Sequence, residues 1–304
     1  MKKKQNKALR KFWKQRQLFL LLLPGILYYA IFKYGPMYGI VVAMQNYSPF
    51  LGVGKSPWVG LYHFKRLFTT DTFGRLFFNT LKMGILNFMC TYPAGILFAL
   101  LLNEVRRPRL KKVYQTVSYL PVFLSMVIVC SMFKDLFALD GVINQIIKYF
   151  GGESIYFSGS PKYYPLVYLS SAVWSVTGSG AIIYLAAIAG IDQNLYEAAS
   201  IDGCSRLKQI WYITLPSILP TMVTMFLLNV GNIVRVSPDR TLLLYNEMTL
   251  ETADIIGSYV YRVGLMGKSY SFATAVGIFE SVIASVVLIV TNKLSKKMTG
   301  QGLW

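Results

Sequence analysis

The sequence predicts an all-α, polytopic membrane fold with six transmembrane helices, and three observations lead there. Of 304 residues, 54% are hydrophobic and the mean hydropathy is +0.46, more apolar than an ordinary soluble chain of this length. The apolar residues gather in long runs of the length that crosses a bilayer as helix. The formal charge of +18 is clustered beside those runs. Lys2, Lys3, Lys4, Lys7, Arg10, Lys11, Lys14 and Arg16 precede the first run. Arg106, Arg107, Arg109, Lys111 and Lys112 follow the second, and Lys293, Lys296 and Lys297 follow the last. Basic clusters flanking apolar spans mark the cytoplasmic side, so both termini are expected there and no nucleic-acid partner is expected. Cys90, Cys130 and Cys204 lack metal-ligand spacing and His63 is the single histidine, so neither a zinc site nor a structural disulfide is expected.

Residues 1–17 read as a cytoplasmic basic N-terminus. The first run has no small-residue cleavage site after it and resumes through Ala43, so it reads as an uncleaved span, 18–44, kinked near Gly35-Pro36. Outside it, residues 45–75 carry an interfacial helix signal from Trp58 to Phe68. The Gly54-Lys55-Ser56 triplet there is no phosphate loop, because the position that needs the first glycine is Pro49. Span 76–103 contains Pro93, whose ring frees a backbone carbonyl that must find another partner, and Lys82, which can snorkel to the surface. Span 113–137 has Pro121 early in it. Span 164–190 groups Ser170, Ser171, Trp174, Ser175 and Gly178 near one face, which suits close helix packing more than substrate contact. Span 217–236 carries Asn229 and Asn232, amides that either join helices or line a wet path. Span 270–294 ends before a cytoplasmic tail, 295–304. Trp174, Asn229 and Asn232 are the candidate substrate-pathway residues.

Between the fourth and fifth spans lies a polar loop, 192–216. Asn194 with Glu197 reads as a capped helix start, Gly203 as its positive-φ terminus and Ser205 as the cap of a second helix. In that helix Leu207, Ile210 and Trp211 share a face, and Pro216 is expected to end it.

The spacing Glu197-Ala-Ala-Ser-Ile-Asp-Gly203, nine residues, then Ile213-Thr-Leu-Pro216 resembles the EAA loop of the membrane subunit of binding-protein-dependent ABC importers. The match holds at Glu197, Ala198, Ala199, Gly203, Ile213, Leu215 and Pro216. Leu22-Leu-Pro-Gly25, Pro36-Met-Tyr-Gly39, Trp58-Val-Gly-Leu61, Glu251-Thr-Ala-Asp254 and Tyr259-Val-Tyr-Arg262 extend the resemblance over nearly the whole chain, to the carbohydrate-uptake branch and its polysaccharide or oligosaccharide permeases.

That resemblance implies a type I ABC importer permease fold in a bacterial inner membrane. It implies a second homologous permease, a cytoplasmic ATPase dimer that carries the ATP and Mg, an external solute-binding protein and a sugar substrate, with lipid around the spans. It implies no cofactor on this chain and no enzymatic activity of its own. Glu197 would pair with a basic residue of the ATPase, Ala198 and Ala199 would allow close approach, and Gly203 would make the turn. Leu207, Ile210 and Trp211 would enter the partner's groove. Asp202 opposes the helix dipole, which suits a partner cation. A non-sugar cargo such as peptide, amino acid or phosphonate remains the alternative. A secondary transporter is disfavoured, because acids concentrate in loops and no repeat is evident.

Overall fold

The chain's computed structural model describes residues 16–300 and Gly302. Residues 1–15, 301, 303 and 304 lie outside the described residues, and with them most of the basic N-terminus 1–17 and part of the tail 295–304. Among the described residues there is no strand, only an isolated antiparallel bridge between Gln45 and Trp58.

Helix α1, Arg16–Tyr29, continues through a π-turn, Ala30–Tyr34, and a 3-10 stretch, Gly35–Met44. The first span is therefore one rod whose winding tightens at the expected kink, with Pro36 in the first turn of the 3-10 segment. Side chains from Gln17 to Tyr38 are exposed along it. Helix α2, Tyr62–Thr69, is the interfacial helix; it starts later than expected because Trp58 is held in the bridge to Gln45. Helix α3, Phe73–Glu104, runs unbroken through Pro93.

The predicted span 113–137 is not one helix. Helices α4, Pro108–Tyr119, and α5, Met126–Leu136, meet at a bend of 107°. Pro121 sits in a 3-10 turn, Leu124 and Ser125 are extended, and the Ser125 hydroxyl accepts from the Ile128 amide to start α5 afresh. A short helix α6, Val142–Tyr149, precedes α7, Tyr164–Ala189. Helix α8, Gln193–Ile201, and the rod α9, Arg206–Ile233, contain the loop motif. Helices α10, Pro238–Leu244, and α11, Ile256–Tyr259, lead to α12, Tyr270–Thr299. Five helices are long and apolar enough to cross a bilayer, and six spans result when the bent α4–α5 pair counts as one.

Helices α3 and α7 form the centre. Gly95 and Gly180 face each other there, and a Cβ on Gly95 would touch the Gly180 backbone at 3.4 Å. Gly178 lies so close to α4 that a Cβ would strike the Ser118 carbonyl, and Gly84 meets the Ile233 carbonyl in the same way. The packing reading of the Ser171–Gly178 face thus holds for those two residues: Ser171 is fully buried, its hydroxyl donates to the Tyr168 carbonyl and accepts from Arg240 Nη1 at 2.8 Å.

The segment between α9 and α12 folds back against the bundle. Arg240 is buried beside Tyr168, its guanidinium 5.7 Å from the ring centroid. Asp254 pairs with Arg262 and accepts from the Ser258 hydroxyl. Asn79 Nδ2 donates to the Glu251 and Asp254 carbonyls, and Thr80 Oγ1 accepts from the Ile256 amide. Asp254, Ser258 and Thr80 are buried, and these bonds give them the partners they would otherwise lose with water.

Two outcomes follow from this packing. Gly84→Leu should cost about 3 kcal/mol, because backbone cannot give way as a side chain can. Gly74→Leu, where nothing lies within 4 Å of a Cβ, should not; thermal melts of the two purified variants compare them. His63 is buried, and desolvation, with Arg66 close by, holds its pKa below the ordinary 6.5. The native state therefore binds fewer protons than the unfolded one just below pH 6.5, so stability falls as the pH drops through 6.5. His63→Gln should flatten the pH dependence of the melting temperature over that window.

Candidate functional site

The loop motif is a helical hairpin with a defined turn. Asp192, not Asn194, caps α8: its Oδ1 accepts from the Asn194 amide at 3.0 Å. The aspartate comes two residues earlier in the chain and serves the same orphan amides. Glu197 is consequently released from any capping box; it is exposed and makes no ion pair among the described residues.

Asp202 is the C-cap, and Gly203 follows at φ +72°. The Cys204 amide donates to the Ala199 carbonyl at 2.8 Å and the Gly203 amide to the Ser200 carbonyl at 3.1 Å. That pair of bonds is the Schellman closure, which requires the left-handed residue glycine supplies. Ser205 holds the N-cap position of α9, though its hydroxyl makes no capping bond. Gln209 Nε2 reaches back to the Ser200 hydroxyl and the Cys204 carbonyl, and Tyr196 Oη meets Thr214 Oγ1 at 2.8 Å.

Pro216 does not end the second helix. It occupies the first turn of the next α-helical stretch, and the preceding residues Ile210–Thr214 form a π-turn in which the Leu215 amide bonds to Ile210. The wider turn accommodates the proline's missing N–H, so the helix expected over 217–236 is continuous with the hairpin and runs Arg206–Ile233.

The hairpin has two sides. Ile210, Ile213 and Leu215 pack against a core of Ile96, Ala99, Leu100, Ala181, Tyr184, Ile188 and Ile218. Leu207 and Trp211, one turn apart, are 72% and 68% exposed. The expected apolar face of Leu207, Ile210 and Trp211 is therefore divided: Ile210 faces the bundle, and the other two face out. Ala198 is exposed and Ala199 half-buried. Arg206 Nη1 reaches Glu104 Oε2 at 3.0 Å and ties the hairpin to the end of α3.

One to three turns deeper lies a cavity of about 350 Å³, lined among others by Phe88, Thr91, Tyr92, Ser179, Tyr184 and Asn229. Tyr92 Oη donates to the Met222 carbonyl at 2.8 Å and Asn229 Nδ2 to the Met225 carbonyl at 2.8 Å. Of the three candidate pathway residues only Asn229 reaches this cavity. Trp174 packs on Phe133, ring centroids 5.8 Å apart, and Asn232 is exposed in the 3-10 turn, Gly231–Ile233, that closes α9. Tyr92, Thr91 and Ser179 escaped the sequence reading, although hydroxyls beside Pro93 and Gly180 in apolar runs were a usable signal. Among the described residues, no His, Cys, Asp and Glu cluster could hold a metal ion.

Bilayer-length helices, an open and mostly apolar cavity with a few hydroxyl and amide groups in its lining, and a helical hairpin projecting at one end are the architecture of a multi-pass membrane protein. The family described as "Binding-protein-dependent transport system inner membrane component" matches residues 91–300. The chain belongs to that family: it is a permease subunit, not an enzyme. It is 43% identical over 304 residues to the polygalacturonan/rhamnogalacturonan transport system permease protein YteP of Bacillus subtilis, covering 100% of this chain and 95% of that one. Protein LplB of the same organism is 40% identical over 292 residues, 96% of this chain and 92% of that one. A crystal structure of a bacterial ABC transporter involved in importing the acidic polysaccharide alginate matches with a TM-score of 0.87 and 37% identity, over 96% of this chain and 99% of that one. A second structure of the alginate transporter, in complex with an alginate pentasaccharide-bound periplasmic protein, matches equally well.

Gly203→Val should unravel the hairpin turn, at a cost of roughly 1–2 kcal/mol for a β-branched residue at positive φ. Gly203→Asn, which tolerates that conformation, should be nearly silent. Amide hydrogen exchange at Gln209 and Cys204 distinguishes the two. Arg206→Gln removes an exposed ion pair and should lower stability by less than about 1 kcal/mol.

Proposed function

We propose that this chain is one of two homologous permeases of an ATP-driven importer and moves oligosaccharides inward across a bacterial inner membrane by alternating access. The exposed side of the hairpin carries the proposal. Leu207 and Trp211 present apolar surface where a soluble partner's groove can cover it, and Glu197, on the other helix of the hairpin, is exposed and makes no ion pair among the described residues. The other side of the same hairpin is bedded in the bundle. A partner that grips it can therefore move helices.

In this reading the hairpin is cytoplasmic, as are both termini, and it sits on an ATPase dimer where ATP and Mg reside. Glu197 meets a partner cation, and Asp202, at the helix's negative end, meets another or the same one. An external solute-binding protein delivers sugar at the opposite end. The named cargo of the relatives supports a sugar: polygalacturonan and rhamnogalacturonan for one, alginate for another. Asn229, Thr91, Ser179 and the tyrosines Tyr92 and Tyr184 offer hydrogen bonds and aromatic faces to a hydroxylated ring within the cavity.

Reconstitution with the partner subunits tests both halves. Glu197→Lys should reduce sugar-stimulated ATP hydrolysis and uptake to background while the complex still assembles; normal uptake by this variant overturns the coupling role. Asn229→Leu should raise the half-saturating sugar concentration roughly fivefold, the worth of one hydrogen bond, without uncoupling hydrolysis. An unchanged value returns Asn229 to packing.

A further inference from the structure

At the end of the bundle away from the hairpin, a cleft of about 630 Å³ opens between the start of α2, the start of α12 and the residues after Met44. That is ample for a sugar unit, within the roughly 300–1,000 Å³ typical of small-molecule sites. Its lining includes Tyr47, Tyr62, His63, Arg66, Lys268 and Tyr270, and no acidic side chain. We propose that this cleft is a second saccharide subsite that receives the carboxylate of a uronate residue; it rests on the sugar-import reading above.

Three features point to that chemistry. Arg66 and Lys268 are exposed cations that make no ion pair among the described residues, so an arriving carboxylate has no competitor to displace. The Arg66 guanidinium lies 4.8 Å from the Phe272 ring centroid, which limits the freedom of a side chain that binds carboxylates through two parallel bonds. The His63 ring is only 5% exposed; its Nε2 is bonded to the Gln45 carbonyl at 3.1 Å, so that nitrogen carries the proton, and Nδ1 is left buried without a partner. A small shift of the ring toward the cleft that His63 lines would give this acceptor a sugar hydroxyl as its partner.

The walls are aromatic. Tyr47 and Tyr270 meet edge to face at 6.2 Å, and Tyr62 flanks His63. Tyrosine rings give the C–H face of a pyranose an apolar platform with a polar tip. The site is also fastened. The Tyr47 amide donates to the Ser271 hydroxyl at 2.9 Å and joins the two chain segments that form it. Lys268 is held at φ +55°, the one positive-φ residue other than glycine among the described residues. Lysine carries a backbone cost there that glycine would not, so Lys268→Gly removes the charge without adding strain.

An oxyanion could also come from an anionic lipid headgroup, and the experiment separates the two. The full-length chain, assembled with its partner subunits, is placed in nanodiscs of phosphatidylcholine alone or with phosphatidylglycerol, and trigalacturonate is titrated by intrinsic fluorescence. Lys268→Gly, which relieves the backbone while removing the charge, and Arg66→Gln should each weaken trigalacturonate binding about tenfold. They should do so in both lipids, with melting temperatures kept. Unchanged affinity in both variants overturns the subsite. So does a loss seen only when phosphatidylglycerol is present, which would assign the cleft to lipid. A wild-type complex that imports a neutral oligosaccharide yet does not bind trigalacturonate refutes the subsite alone; one that imports no sugar refutes the underlying function as well.

Discussion

Pro216 has no amide hydrogen to offer the carbonyl four residues before it, yet α9 passes through without a break. A single π-turn, Ile210–Thr214, takes up the defect by shifting the bonding pattern one residue. Much of the molecule depends on that substitution of winding for a break. Because the rod is continuous, the exposed Leu207 and Trp211 at one end and Asn229 near the other belong to a single element. Had the proline ended the helix, the hairpin would be a separate appendage joined by a flexible link.

The far end of the bundle joins two apolar clusters, around Leu244 and Ile255 and around Ile256 and Phe272, to a set of buried polar contacts. Arg240 is buried against Ser171 and Tyr168, and Asp254 is buried against Arg262 and Ser258. Removing one member of such a set leaves the other desolvated and alone, which costs more than the bond is worth. These contacts therefore fix how the segment after α9 folds back, and hence where Lys268 and Ser271 stand relative to α2. Arg235, whose Nη2 donates to the Ser281 hydroxyl at 3.1 Å, adds a tie between the end of α9 and α12.

Much of this was legible in the sequence because the bilayer simplifies the problem. Long apolar runs can only be helices there, and spans at 17–44, 73–104, 164–189 and 270–297 fall within a few residues of their apolar runs. Gly203 was legible for a similar reason, since a turn between two helices needs positive φ and glycine adopts it without strain. The bend at Leu124–Ser125 was not, because Pro121 alone does not distinguish a kink from a break; the Ser125 cap, which needs a tertiary surface for α5, decides it. Nor was the division of the motif's apolar face. Periodicity places Leu207, Ile210 and Trp211 together, but only packing reveals that Ile210 turns inward. The cavity was least legible, because Tyr92 and Ser179 lie far apart in the chain and only the α3–α7 approach through Gly95 and Gly180 brings them together.

The same three helices hold the hairpin and line the cavity. Ile96, Ala99 and Leu100 on α3, Ala181, Tyr184 and Ile188 on α7, and Ile210 to Ile218 on α9 grip the hairpin's base. Thr91 and Tyr92, Ser179 and Tyr184, and Met225 and Asn229, on those helices in the same order, surround the cavity. Tyr184 belongs to both sets. Closely packed helices do not compress, so they answer a push at one end by sliding or tilting as units. A displacement of the hairpin therefore cannot be absorbed between the two sets without voids opening around Tyr184. In the proposed coupling, a hairpin displaced by its partner reshapes the cavity, and a change in what fills the cavity is felt at the hairpin in return.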